Sequence, residues 1–232
     1  MSRIGIVTGL QMEARLVRPG RSVDEDPLLV ACDGPGPRRA YEAARRLVEA
    51  GADGLVSFGL AGGLDPELAP GTAILPAAIL DEDGTRFDCA GDWRDGLASR
   101  DPALQCVDAL ATVSRPLASV EAKAALRART GASAADMESA AVARAAMEAG
   151  LPFLAIRAIS DRAGDTIPGA ALEGMRADGH TAALPVLVYL AAHPGELGAL
   201  IRLARQTGRA KRALAALAHR LGQVSGPSIG PD

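Results

Sequence analysis

Residues 135–161, which read ADMESAAVARAAMEAGLPFLAIRAISD, decide the expected fold. The alanine-rich first part predicts a helix that ends at Gly150, because glycine commonly follows the last helical residue. The apolar run at 151–161 predicts a buried strand that ends in two polar residues, Ser160 and Asp161. A helix that leads directly into a buried strand is typical of an α/β protein.

The same alternation extends along the chain on either side of this stretch. Apolar runs predict strands at 3–10, 27–34, 52–64, 71–81 and 104–118. Helical spacing predicts helices at 38–51, 119–131, 182–194 and 196–222. Residues 82–103 and 162–181 are predicted to be loops, and 59–63 a glycine-rich loop after a strand. Strands that alternate with helices predict a mostly parallel sheet covered on both faces.

Composition indicates one globular domain. The chain has 232 residues, of which 48% are hydrophobic and 23% charged, and its formal net charge is -3. A negative chain is a poor partner for nucleic acid, so none is expected. We predict a domain over 1–195, a basic amphipathic helix over 196–222 and a disordered tail over 223–232.

Cysteine and histidine usage indicates no metal site and no disulfide framework. The cysteines (Cys32, Cys89 and Cys106) are odd in number and far apart, and no Cys/His cluster is present. The first ten residues lack the apolar core of a signal peptide, and no run of ~20 apolar residues could span a membrane. These features favour a reduced, cytoplasmic protein.

Three polar clusters follow predicted strands, where α/β sheets bind ligands. Asp161 could be a general acid if burial raises its pKa, or a turn residue. Glu13 could reach a ligand, or be a solvated helix charge. The glycines at 59–63 could let backbone N–H groups approach a ligand, or form a tight turn.

Glu138 has two interpretations. Ser133 and Asp136 have the spacing of a capping box, which would place Glu138 just inside a helix with no further role. Its carboxylate could instead accept two hydrogen bonds from a vicinal diol, with Met137 as a soft apolar contact. Taken alone, the stretch favours capping.

The combination of motifs resembles the purine-nucleoside phosphorylase/nucleosidase superfamily. The resemblance rests on residues 135–161, on GLAGGL at 59–64 and on IGIVTGLQMEARLV at 4–17, and covers most of 3–190. The start is most similar to the methylthioadenosine/S-adenosylhomocysteine nucleosidase branch. Residues 166–217 are similar to the hopanoid-associated phosphorylase subgroup, which is linked to removal of adenine from adenosylhopane.

This resemblance implies a single α/β domain, with a mixed central sheet flanked by helices in a three-layer sandwich, and no cofactor. It implies that Glu138 and Met137 bind ribose, that Asp161 protonates purine N7 and that Glu13 activates water. It assigns Arg157 a structural role only. The other residues expected to bind substrate are Ser160, Gly62 and Leu60.

The nucleophile stays open between water and inorganic phosphate, which is a candidate co-substrate. Leu60 stands where many relatives carry serine, Ser57 stands where some phosphorylases carry arginine, and Glu13 would repel phosphate. These residues favour water, whereas the subgroup's name favours phosphate. Cleavage of adenosylhopane is the leading hypothesis. The alternatives are a soluble methylthioadenosine/S-adenosylhomocysteine nucleosidase and a non-catalytic nucleoside- or lipid-binding protein.

The C-terminal helix carries an apolar stripe with arginines on the opposite side. Such a helix could rest on an anionic membrane surface, or pack on the domain or on a partner subunit. The family resemblance also implies a homo-oligomer, with a dimer as the expected form. The stripe consists of Leu200, Leu203, Thr207, Ala210, Leu214, Leu217 and Leu221, and the arginines are Arg202, Arg205, Arg209, Arg212 and Arg220.

Overall fold

Strands and helices alternate along the chain, as predicted. The computed structural model describes residues 3–17, 28–174, 176 and 178–221. The strands are β1 (Ile4–Val7), β2 (Leu28–Ala31), β3 (Gly54–Gly63), β4 (Ala73–Leu80), β5 (Arg86–Asp88), β6 (Leu104–Thr112), β7 (Ala134–Asp136) and β8 (Phe153–Asp161). The helices are α1 (Gln11–Val17), α2 (Pro37–Glu49), α3 (Gly91–Arg100), α4 (Val120–Thr130), α5 (Ser139–Glu148), α6 (Gly169–Glu173), α7 (Ala183–Ala192) and α8 (Leu197–Leu221), with a 3₁₀ turn at Pro194–Glu196.

All of these strands belong to one mixed sheet, which confirms the expected fold class. The order is β2-β1-β3-β7-β6-β4-β5, and β8 pairs with both β3 and β4. Most neighbours are parallel, while β3–β7, β4–β5 and β4–β8 are antiparallel. Because β8 joins β3 to β4, strands β3, β7, β6, β4 and β8 form a closed ring.

Helices cover both faces of the sheet, because successive side chains of a strand point to opposite faces. On β3, Leu55 packs in a core with residues of α2 and α5, whereas its neighbour Val56 packs with residues of α3 and α8. Both side chains are fully buried. The sheet is therefore the middle layer of three.

Two predicted loops contain regular structure. Residues 82–103 hold β5 and α3, and α3 buries Trp93 and Leu97. Residues 162–181 hold the short helix α6. α3 was missed because its few apolar residues stand among charges and do not make a continuous apolar stripe.

The predicted glycine-rich loop at 59–63 is also wrong, because these residues continue β3. The reason is the close approach of β8. A side chain at Gly63 would put its Cβ 2.8 Å from the carbonyl oxygen of Asp161. Glycine therefore allows the end of β8 to lie against β3, where the pairing register shifts between Ala61 and Gly62.

The second half of the α8 stripe packs on the domain. Ala210, Leu214 and Leu217 are buried in the core on one face of the sheet. The arginines at 202, 205, 209 and 212 are exposed, as the pattern predicts. The tail predicted at 223–232 lies outside the described residues.

Among the described residues, no single helix is long and apolar enough to cross a membrane. α7 and α8 reach that length and composition only as a pair, across a bend of 116°.

Candidate active site

A cavity of about 260 Å³ collects the predicted site residues at the ends of β3, β7 and β8. Its walls are mostly apolar, and they include residues of α6 and α8 as well as the strand ends. The predicted residues that line it are Glu13, Leu60, Gly62, Met137, Glu138, Ser160 and Asp161. Residues that are far apart in the sequence thus face one space.

The carboxylate of Asp161 is buried and held on both oxygens. Lys123 Nζ donates a hydrogen bond to Oδ2 at 2.5 Å, and Ser160 Oγ donates one to Oδ1 at 2.5 Å. Lys123 is itself buried in α4, and it also donates to the carbonyl oxygens of Arg162 and Asp165, each at 2.8 Å. Asp161 is therefore an ion-paired group with a fixed orientation.

Lys123 is a site residue that the sequence did not reveal. It lies among other charged residues on a helix, which is the usual pattern of a solvent-exposed face. A single sequence carries no signal that separates it from the exposed Glu121 nearby.

Glu13 is buried, which excludes the solvated helix charge. Its Oε1 accepts a hydrogen bond from the N–H of Leu60 at 2.9 Å. Its Oε2 accepts hydrogen bonds from the N–H groups of Leu10 at 2.9 Å and Gly9 at 3.2 Å. Burial raises the pKa of Glu13, and the nearby Arg157 and these N–H groups oppose that rise. The N–H of Leu60, in the glycine-rich stretch of β3, is thus directed at a protein carboxylate.

Glu138 precedes the first residue of α5 and points into the cavity. Its Oε1 accepts a hydrogen bond from the N–H of Gly36 at 3.0 Å. Burial and repulsion from Asp136 raise the pKa of Glu138 to about 7, although Arg157 opposes this. Gly9 lies against this carboxylate, since a Cβ there would be 2.9 Å from Oε1.

The predicted capping box is wrong, because Ser133 precedes a strand and not a helix. Asp136 is the last residue of β7, and its Oδ2 accepts a hydrogen bond from the N–H of Ser139, the first residue of α5, at 3.1 Å. Asp136 is therefore structural, as expected, but by a different contact.

Arg157 is the buried cation that these carboxylates share. Its Nη2 lies 2.5 Å from Asp136 Oδ2 and 3.9 Å from Glu138 Oε2. Burial lowers the pKa of Arg157, but Asp136, Glu138 and Glu13 outweigh burial, and the pKa is raised. Arg157 Nη2 also donates to Ser57 Oγ at 2.6 Å. An arginine inside an apolar strand needs buried anionic partners, and that was the available sequence signal.

This cluster explains two residues of the stretch SFGLAGG at 57–63. A side chain at Gly59 would put its Cβ 2.5 Å from Arg157 Nη1 and 2.7 Å from Glu13 Oε1. Ser57 is fully buried, and its hydroxyl group is hydrogen-bonded to Arg157 and Ser139. It therefore stabilises the cluster and does not line the cavity.

We expect Glu138→Gln to make the protein more stable at about pH 8. The folded-state pKa of Glu138, about 7, lies above the ordinary value of 4.5, so ionising it in the folded protein costs free energy. That cost is absent below the unfolded pKa and is fully present above about 7. Urea unfolding should give a gain on the order of 1–3 kcal/mol at about pH 8, shrinking to nothing near pH 4.

Glu42→Gln is the matched control, since Glu42 is half exposed and pairs with Arg38 on the surface. It should change the free energy of unfolding by less than about 0.5 kcal/mol at either pH. A Glu138→Gln variant that is no more stable than the parent at about pH 8 would show that ionising Glu138 in the folded protein costs no free energy, and would contradict the raised pKa.

Comparison with known families identifies the family of this chain. Residues 20–183 match the model of the phosphorylase superfamily over most of the chain. The chain belongs to the phosphorylase superfamily. The resemblance in the sequence to this superfamily is therefore confirmed. A comparison with curated proteins finds no match.

Solved structures of two nucleosidases and a futalosine hydrolase share the fold. The methylthioadenosine/S-adenosylhomocysteine nucleosidase of Neisseria meningitidis, solved with methylthio-immucillin-A, is 20% identical, with a TM-score of 0.68 over 97% of this chain and 100% of that one. The corresponding nucleosidase of Colwellia psychrerythraea, solved with adenine, is 22% identical, with a TM-score of 0.62 over 70% of this chain and 84% of that one. A futalosine hydrolase mutant of Helicobacter pylori is 18% identical, with a TM-score of 0.61 over 68% of this chain and 89% of that one.

Proposed function

We propose that this protein cleaves the N-ribosidic bond of a 5′-substituted adenosine and releases adenine. The observation that carries the proposal is the convergence of Glu13, Glu138 and Asp161 on one cavity. A non-catalytic nucleoside- or lipid-binding protein would have no need to bury the charge of Glu13 beside its ligand.

The proposed reaction breaks the bond between C1′ and purine N9, and the electron pair of that bond goes to the purine. Asp161 takes up a proton from solvent before cleavage, delivers it to N7 of the leaving base and returns to the carboxylate that pairs with Lys123. The ribose becomes oxocarbenium-like, and Glu138 stabilises its positive charge through hydrogen bonds from the sugar hydroxyls. Lys123, which also lines the cavity, is a positioning residue, since it acts through its hydrogen bond to Asp161 Oδ2.

We propose water as the nucleophile, with Glu13 taking its proton as oxygen adds to C1′. The N–H groups of Gly9, Leu10 and Leu60, which could bind a phosphate, already bind the Glu13 carboxylate. A phosphate there would meet a buried negative charge at close range, which is unfavourable. Ser57 stands where some phosphorylases carry arginine. Its hydroxyl group is hydrogen-bonded to Arg157 and Ser139, so it is not directed at a phosphate.

Adenosylhopane is the leading candidate substrate. The similarity of residues 166–217 to the hopanoid-associated subgroup supports it, and so do the apolar cavity walls formed by Leu172 of α6 and Leu203 of α8. Methylthioadenosine and S-adenosylhomocysteine are the alternative substrates, in line with the names of the structural neighbours. A homo-oligomer, with a dimer as the expected form, stays a prediction that sedimentation would test.

The proposal predicts adenine release that does not depend on phosphate. We would follow adenine by chromatography with 5′-methylthioadenosine, S-adenosylhomocysteine and detergent-dispersed adenosylhopane, each with and without inorganic phosphate. We expect kcat/KM for the lipid-linked nucleoside to exceed that of the soluble ones by at least about tenfold, because its apolar substituent adds buried contacts. Release of adenine from none of the three would refute the activity, and release from only the soluble two would select the alternative.

A further inference from the structure

Helix α7 has an unusual surface. It contains no charged residue and buries none of its ten side chains. Leu184, Leu187 and Val188 form one face at the helical spacing i, i+3, i+4, and they are 72%, 63% and 64% exposed. Beyond the turn at Pro194–Glu196, Leu197 and Ile201 of α8 are 51% and 43% exposed. We call these five residues, which lie on both sides of the 116° bend between α7 and α8, the apolar corner.

The corner stands beside positive charge. The sequence from 183 to 221 contains six basic residues and one acidic residue, although the whole chain is negative. The acidic residue is Glu196, whose oxygens accept hydrogen bonds from the N–H of Ala170 and the hydroxyl of Tyr189, each at 3.3 Å. On α8, Arg202 and Arg205 are exposed within one turn of Ile201. The corner is therefore apolar with a basic border.

We propose that the apolar corner docks on an anionic lipid bilayer. Exposed leucines bordered by arginines are the pattern of a helix that lies in the plane of a membrane surface, with its apolar side chains among the acyl chains and its cations at the lipid phosphates. This assigns membrane contact to α7 and the start of α8. The apolar stripe in the second half of α8 cannot supply it, because Ala210, Leu214 and Leu217 pack on the sheet.

A second copy of the chain fits this corner less well. In a symmetric dimer the same patch meets itself, so the arginines of both copies would enter one interface. The carboxylates near α7 are those of Glu173 and Glu196, which are outnumbered by the six basic residues of 183–221. An anionic lipid surface has the complementary charge.

The corner is also connected to the cavity. A Cβ at Gly169 of α6 would overlap the hydroxyl oxygen of Tyr189, and one at Gly174 would lie 2.6 Å from Val186, so α6 lies directly on α7. Leu172 of α6 and Leu203 of α8 line the cavity. Docking would therefore place the apolar walls of the cavity close to the bilayer, where a lipid-linked substrate resides. This last step rests on the proposed function, whereas docking itself does not.

Vesicle sedimentation tests the docking surface. The full chain should bind vesicles of phosphatidylcholine with phosphatidylglycerol at low salt, and bind more weakly at high salt or to phosphatidylcholine alone. Combining Leu184→Ser, Leu187→Ser and Val188→Ser should lower the partition coefficient by at least about tenfold. Arg202→Gln with Arg205→Gln should lower binding to the anionic vesicles about fivefold per arginine and leave binding to phosphatidylcholine unchanged.

Met147→Ser is the matched control, because Met147 is 62% exposed but lies on α5, away from the corner. It should bind vesicles like the parent, and thermal unfolding should show all variants folded. Absence of binding by the parent, or equal binding by the triple variant, would overturn the proposal. So would a triple variant that changes the sedimentation mass without changing vesicle binding, since the corner would then join two copies. If the parent protein binds vesicles but releases no adenine from any of the three nucleosides, the proposed function is refuted and the docking proposal stands.

Discussion

Asp161→Asn is expected to lower kcat for adenine release by about 10²–10⁴-fold while KM changes little. Asparagine has nearly the same shape as aspartate and can still accept the hydrogen bond from Lys123 Nζ, but it cannot deliver a proton to the purine. The departing base would then leave as an anion, which raises the barrier to cleavage. Steady-state kinetics with chromatographic detection of adenine would measure the effect.

Asp81→Asn is a control of the same chemical type, because Asp81 pairs with Arg144 on the surface, away from the cavity. It should leave kcat within about twofold of the parent value. Adenine release by Asp161→Asn at a near-normal rate would refute the assignment of the general acid.

Glu13→Gln should lower kcat by at least about 10²-fold, since glutamine cannot take the proton of the attacking water. Both carboxylate oxygens of Glu13 accept hydrogen bonds from backbone N–H groups. In Glu13→Gln, an NH₂ group replaces one carboxylate oxygen and faces a backbone N–H group. Two donors then face each other, which displaces the side chain as well. Rapid mixing of enzyme with excess substrate would measure the chemical step directly.

Glu42→Gln again serves as the control, because the Glu42 side chain pairs with Arg38 on the surface of α2 and does not line the cavity. An unchanged chemical step in Glu13→Gln would remove Glu13 from the reaction. If Glu13→Gln instead releases adenine only when inorganic phosphate is present, phosphate has entered where the carboxylate charge excluded it. That result would still place Glu13 beside the nucleophile.

The sequence predicts the alternation of strands and helices because burial leaves a periodic trace. It also predicts where polar residues follow strands, and Asp161 and Glu13 do line the cavity. The glycines at 59–63 were placed in a loop because glycine is common in turns, whereas their use here is the close approach of β8 and of Arg157.

Electrostatic partners across the fold leave no local pattern. The pairing of Lys123 with Asp161 joins residues 38 positions apart, and the contact of Gly36 with Glu138 joins residues 102 apart. Arg157 carried more information than a structural role, since an arginine in an apolar strand requires buried anions and so predicts carboxylates beside it. The apolar corner is visible only in the structure, because a helix as apolar as α7 is ordinarily expected to lie in a core.

In the proposed reaction, water activated beside Glu13 replaces adenine on the ribose. Turnover in isotopically labelled water, followed by mass spectrometry of the sugar product, tests it most directly. We predict a free sugar that carries one labelled oxygen at C1′, in equal yield with adenine and without added phosphate, in samples analysed before the free sugar exchanges oxygen. A sugar phosphate without label, formed only when phosphate is present, would contradict the account.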